Sequence, residues 1–260
     1  MTSIGIFGDS FADPTHGHDI EPNFDQHGWP HLLNKQVNIY ALNGSSIYYT
    51  YKNFINNNYK HDRNIVVITS PYRISIEPSS YILDQKEWML SITSANFANL
   101  LLEKKYVTKK ENIDIVTAFK YWYDHLMIHS GSYDFAVLMY EEMKRIRPDT
   151  IFIPAFNPTD LDIPIAGPGL ATYMSLDFNG WFNKTGINTY REYVENCQEQ
   201  RTICHLSIET NALVAEHIKH AMSYNSWGLQ RMPEKIITSQ PYEYYYDTSK
   251  FLDKLLKPLD

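Results

Sequence analysis

Ile4-Gly5-Ile6-Phe7-Gly8-Asp9-Ser10-Phe11-Ala12-Asp13 is the stretch that decides the fold of this chain. The apolar run Ile4 to Phe7 meets Gly8-Asp9-Ser10, a pattern that predicts a buried parallel strand ending in a tight turn. Gly8 permits the sharp bend, and Asp9 shapes the turn. Ser10 then emerges beyond the carboxyl end of a strand, where open α/β sheets bind their ligands. A Gly-Asp-Ser turn can also do no more than connect a strand to a helix. The rest of the chain has to decide between the two readings.

Working outward, Trp29, Leu32 and Leu33 suggest a helix face. A strand from Val37 to Leu42 follows, then the turn Asn43-Gly44, a helix from Ser46 to about Asn57, and a buried strand Ile65-Val66-Val67-Ile68. Helical spacing recurs from Trp88 to Leu102 and from Ile113 to Ile128, joined by the basic connector Lys104 to Lys110. Phe135, Leu138, Met139, Met143 and Ile146 define another helix, ended by Pro148 and followed by a strand Ile151-Phe152-Ile153. Residues 157–200 read as an irregular excursion. Ser207 can cap a last helix whose inward face is Ala212, Leu213, Ala215 and Ile218, leaving His205 just before the helix start. Strand and helix alternate, so the expected class is α/β: a mostly parallel sheet with helices on both faces, in a single domain over residues 1–260. A helical insertion is expected at about 86–130 and a C-terminal extension at about 224–260.

A formal charge of −7 argues against a general nucleic-acid binder, which needs a basic face. No apolar run approaches the roughly 20 residues that cross a bilayer, and no basic segment leads into an apolar signal region. A cytoplasmic or virion-associated protein is therefore expected. Cys197 and Cys204 would close only a very short loop and form no CxxC pair, so neither a structural disulfide nor a zinc or redox site is expected. His16, His18, Asp19, His27 and His31 offer ligand types without a recognised metal-binding spacing. Asp13, Asp19, Glu21 and Asp25 could pair as acids for glycoside chemistry, although loop carboxylates are usually just solvated. No phosphate-cradling glycine motif follows any strand, so no nucleotide, metal or other cofactor is expected. Tyr48, Tyr49, Tyr51 and Tyr72 lie near the expected rim, as lining for an acyl or sugar pocket or as ordinary boundary residues.

The segment Ile6-Phe7-Gly8-Asp9-Ser10-Phe11-Ala12-Asp13 resembles the first block of the SGNH, or GDSL, hydrolase family, in its usual place near the N-terminus. The resemblance implies a flavodoxin-like three-layer α/β/α sandwich in which Ser10 is the nucleophile and its backbone amide an oxyanion donor. Ala41-Leu42-Asn43-Gly44-Ser45-Ser46 looks like the second block, which makes the Gly44 amide a second donor; Ser45 or Ser46 capping the next helix is compatible with this. The third block normally carries an asparagine, but Ile68-Thr69-Ser70-Pro71-Tyr72-Arg73 lacks it. Ser70, Thr69 or Arg73 stand as substitute donors, with Tyr72 and Arg73 as substrate contacts. The last block, Asp-x-x-His in the family, reads Thr202-Ile203-Cys204-His205, so His205 matches the general base while Thr202 replaces the orienting acid. A Ser-His dyad, or an acid supplied from elsewhere, is implied. The expected function is a serine ester hydrolase releasing an acyl or acetyl group from a small molecule or carbohydrate. A non-catalytic binding or structural protein that kept the fold is the alternative. Richness in Asn, Tyr, Ile and Lys resembles proteins encoded by large tailed phages.

Overall fold

The computed structural model describes residues 2–14, 24–33, 36–71, 73–76, 90–92, 110–121, 132–156, 165, 167–173 and 204–227. The chain divides into two compact units, residues 1–71 with 136–242, and residues 72–135 with 243–260.

The first unit is α/β. Among the described residues, four strands, β1 (Ser3–Gly8), β2 (Gln36–Ala41), β3 (Arg63–Ile68) and, later in the chain, β6 (Ile151–Pro154), form an all-parallel sheet in the order β2-β1-β3-β6. These are the four apolar runs of the sequence. β1, β3 and β6 read as continuous runs because both of their faces are buried. On one face Ile4, Ile6, Ile65, Val67, Ile151 and Ile153 join a core with Val214, Ala215, Ile218 and Ala221 of the last helix, α4 (Ile208–Tyr224). On the other, Phe7 stacks on Tyr40 and meets Phe54 of α1 (Ile47–Asn57) edge-on, and Phe152 meets Tyr140 of α3 (Ser132–Ile146).

Both capping serines behave as the sequence suggests. Ser46 accepts from the Tyr49 amide at 3.4 Å to start α1, and Ser207 accepts from the Thr210 amide at 3.1 Å to start α4. The inward face of α4 is rotated from expectation: Thr210 and Asn211 are buried, Leu213 is half-buried and Ala212 is exposed. The polar Asn211 goes inside because hydrogen bonds satisfy it there, as described below. Trp29 and Leu33 do not form a helix face. They sit around two single turns of 3-10 helix, Phe24–His27 and His31–Leu33, and both are buried.

In the second unit, α2 (Lys110–Tyr121) covers the first part of the helix expected over Ile113 to Ile128, whose residues 122–128 lie outside the described residues; Val116 is buried and Tyr121 exposed. The helix expected from Trp88 is contradicted at its start. β5 (Leu90–Ile92) pairs antiparallel with β4 (Ile74–Ile76). Ile74-Ser75-Ile76 and Leu90-Ser91-Ile92 both alternate apolar and polar with a period of two, the spacing of a strand. The unit is therefore not purely helical. Among the described residues, no helix is long and apolar enough to cross a membrane.

Candidate active site

The site is built where β1, β2 and β3 end. At the end of β1, a side chain on Gly8 would place its Cβ 2.8 Å from Val67 Cβ and 3.0 Å from Ala12 Cβ, so only glycine fits. The Ala12 amide donates to the Asp9 carbonyl at 2.9 Å, closing a turn with Ser10 at its crest. The buried Asp9 carboxylate holds that turn. One oxygen accepts from the Phe11 amide at 3.1 Å, and the other accepts from the Thr69 hydroxyl at 2.6 Å. Asp9 thus shapes the turn, and it also ties the turn to the end of β3.

His205 reaches Ser10 from the far end of the sequence. Its Nε2 lies 2.7 Å from Ser10 Oγ, the distance at which the hydroxyl donates to an unprotonated imidazole nitrogen. The two residues are 195 positions apart. The Phe11 ring packs against the imidazole with centroids 4.8 Å apart, limiting its rotation. Cys204 and His205 both have left-handed backbone, with φ of 52° and 64°. For residues with a Cβ this conformation costs roughly 1–2 kcal/mol each, and such outliers gather at functional sites. Burial raises the Cys204 thiol well above its ordinary value, and the charges of Asp13 and Asp9 add to the effect, so it stays protonated.

The Asn43-Gly44 turn is fastened to the Ser10 turn. The Leu42 amide and the Ser45 hydroxyl both donate to the Gly8 carbonyl, at 3.2 Å and 3.1 Å, and the Asn43 amide donates to Asp13 Oδ2 at 3.0 Å. Gly44 has φ of 72°, and a Cβ built on it meets none of the described residues within 4 Å.

The structure therefore brings Ser10 and His205 into direct contact and joins the Gly44 turn by hydrogen bonds to Gly8 and Asp13, on either side of Ser10. Ser70 is half-buried, next along the chain from the Thr69 that holds Asp9. Arg73 belongs to the second unit, while Tyr72 and Thr202 lie outside the described residues.

Three contributors escaped the sequence. Trp29 Nε1 donates to the Phe11 carbonyl at 2.7 Å, and the Trp29 amide donates to Asn211 Oδ1 at 2.9 Å. Asn211 Nδ2 donates to the carbonyls of Leu206 and Ser207 at 3.1 and 2.9 Å. This buried chain of bonds locks the segment behind the nucleophile to the segment behind the base. Asp13 is the third. The sequence offered it as a candidate acid, whereas the structure shows its carboxylate holding the Asn43 amide. Among the described residues no cluster of His, Cys, Asp and Glu is arranged to hold a metal ion.

Comparison with known proteins returns no matching family model, no matching curated relative and no matching solved structure.

Proposed function

We propose that this chain is a serine ester hydrolase of the SGNH type, on a flavodoxin-like three-layer α/β/α scaffold. The 2.7 Å approach of His205 Nε2 to Ser10 Oγ carries the reading. A serine hydroxyl becomes a useful nucleophile only with a base in hydrogen-bond reach, and here two segments distant in sequence supply the pair. The sheet supports the same reading. With the order β2-β1-β3-β6, the Ser10, Gly44 and Thr69-Ser70 turns all leave the carboxyl ends of neighbouring strands.

In the proposed mechanism Ser10 Oγ attacks the ester carbonyl carbon while His205 Nε2 takes the hydroxyl proton. The carbonyl oxygen becomes an oxyanion received by the backbone amides of Ser10 and Gly44, with Ser70 as a further donor. Collapse expels the alcohol, which receives the proton from His205, and leaves an acyl-Ser10 ester. Water, deprotonated by His205, then attacks the acyl carbon, and collapse releases the acid as His205 returns the proton to Ser10 Oγ. The substrate is an acyl or acetyl ester of a small molecule or carbohydrate, and the chemistry calls for no cofactor. The paired bonds of Asn211 and Trp29 contribute orientation to the dyad.

A non-catalytic protein that kept this fold is the second reading, favoured by the burial of Ser10, which is only 3% exposed. A fluorophosphonate probe separates the two. The hydrolase labels covalently at Ser10, and Ser10→Ala abolishes both the label and the cleavage of aryl acetates. A wild-type chain that neither labels nor cleaves would leave the binding reading standing.

A further inference from the structure

We propose that Asp13 is a positioning residue, setting the Gly44 turn against the nucleophile through its hydrogen bond with the Asn43 amide. The inference rests on the hydrolytic reading and adds a residue that the reading does not use.

The argument is mechanical. The turn 42–45 is pinned at both ends to one atom, because the Leu42 amide and the Ser45 hydroxyl share the Gly8 carbonyl. Its own closing bond, from the Ser45 amide to the Leu42 carbonyl at 3.0 Å, keeps the four residues together. None of these bonds holds the crest. Two pins at the base let a turn pivot about the line between them, and the amide of Gly44 would swing with it. On the side of the Gly44 Cβ position the crest is open, with none of the described residues within 4 Å. The Asp13 carboxylate supplies the third point, accepting from the Asn43 amide at 3.0 Å. Asp13 belongs to the same loop as Ser10 and is buried, so it references the crest of the second turn directly to the nucleophile's own segment. An oxyanion donor must sit within a few tenths of an ångström of its place, and misplacement by about 1 Å can cost about 100-fold in rate.

Asp13→Ala and Asp13→Asn, compared with wild type, test the inference by hydrogen exchange and by kinetics with an aryl acetate. Asp13→Ala should speed exchange of the Asn43 amide at least about tenfold. It should lower kcat about 10- to 100-fold with KM held within about twofold, because the turn acts on the transition state. The asparagine side chain can accept the same bond, so Asp13→Asn should restore the slow exchange and bring kcat to within about fivefold of wild type. Should Asp13→Ala fail to fold, Asn43→Pro removes the donor of the same bond and is expected to lower kcat alike. Unchanged exchange at Asn43 in Asp13→Ala, or unchanged kcat with that bond gone, overturns the proposal. So does an Asp13→Asn variant as slow as alanine with a displaced pH profile, which would make the carboxylate a charge acting on His205. A wild type that the fluorophosphonate leaves unlabelled removes the hydrolytic reading itself and the catalytic role of Asp13 with it.

Discussion

Asn211 Oδ1 accepts the backbone amide of Trp29 at 2.9 Å, across 182 residues of sequence. From this side chain the bonding runs one way through Trp29 to the Phe11 carbonyl and the other way to the carbonyls of Leu206 and Ser207. Truncating it leaves one donor and two acceptors in the interior without that partner. Asn211→Ala should therefore lose about 2–4 kcal/mol of unfolding free energy, far more than a typical exposed helix position. Urea denaturation reads this directly, and a midpoint equal to wild type would show that the network carries no stability.

Ser10 and His205 act as one unit if the dyad is catalytic. Ser10→Ala and His205→Ala should each lower kcat by several orders of magnitude, and the double variant should be no slower than the worse single one. Steady-state kinetics on the three variants settle the point. Multiplying effects would mean that the two residues act separately.

The left-handed backbone of His205 reverses an ordinary preference. Glycine usually destabilises relative to alanine, but at φ of 64° it escapes the clash that a Cβ suffers. His205→Gly should be more stable than His205→Ala by about 1 kcal/mol, with both inactive. The same comparison at Cys204, φ 52°, should run in the same direction. Thermal melts that rank alanine above glycine at position 205 would show that the backbone relaxes at no cost.

Acid should weaken the fold through His61. Burial holds this imidazole below its ordinary value of 6.5, Lys60 and Arg147 push it further down, and Asp62 opposes them. Its Nε2 lies 3.0 Å from the Tyr40 hydroxyl. The unfolded chain takes up this proton near 6.5 while the folded chain resists it, so stability rises with pH across that interval. Unfolding free energy should be level above about pH 7.5 and decline as pH falls through about 6.5, until the folded imidazole also titrates. His61→Gln should flatten part of the decline. His217, lowered by burial and by His220, accounts for more of it. An unaltered slope in His61→Gln removes His61 from the account.

Much of the parallel sheet was legible because buried parallel strands are short apolar runs bounded by turn residues, as Ile4 to Phe7 and Ile65 to Ile68 are. The Ser10–His205 pair was legible through local patterns at the two ends of the chain. What was not legible depends on contacts between distant residues. Asn211 is polar but lies in line with Val214, Ala215 and Ile218 on the buried face of α4, and its place there depends on bonds to Trp29 and to the helix's own entry. The three-residue strand Leu90–Ile92 is shorter than one window of helical spacing, and its partner lies fourteen residues or more earlier. Asp13 has nothing in its neighbours' identities to announce that it holds Asn43. The left-handed conformation of Cys204 and His205 has no glycine to mark it.

Cys204 has one more consequence. Its thiol has no solvent exposure and stays protonated, so a disulfide reagent such as dithionitrobenzoate cannot reach it while the loop behind His205 is closed. In a Cys197→Ser background, the rate of thiol modification should therefore clock the spontaneous opening of that loop. A substrate analogue seated on Ser10 should slow the clock, and Asn211→Ala should quicken it. The residue beside the proposed base thus serves as an internal stopwatch for how often the dyad comes apart.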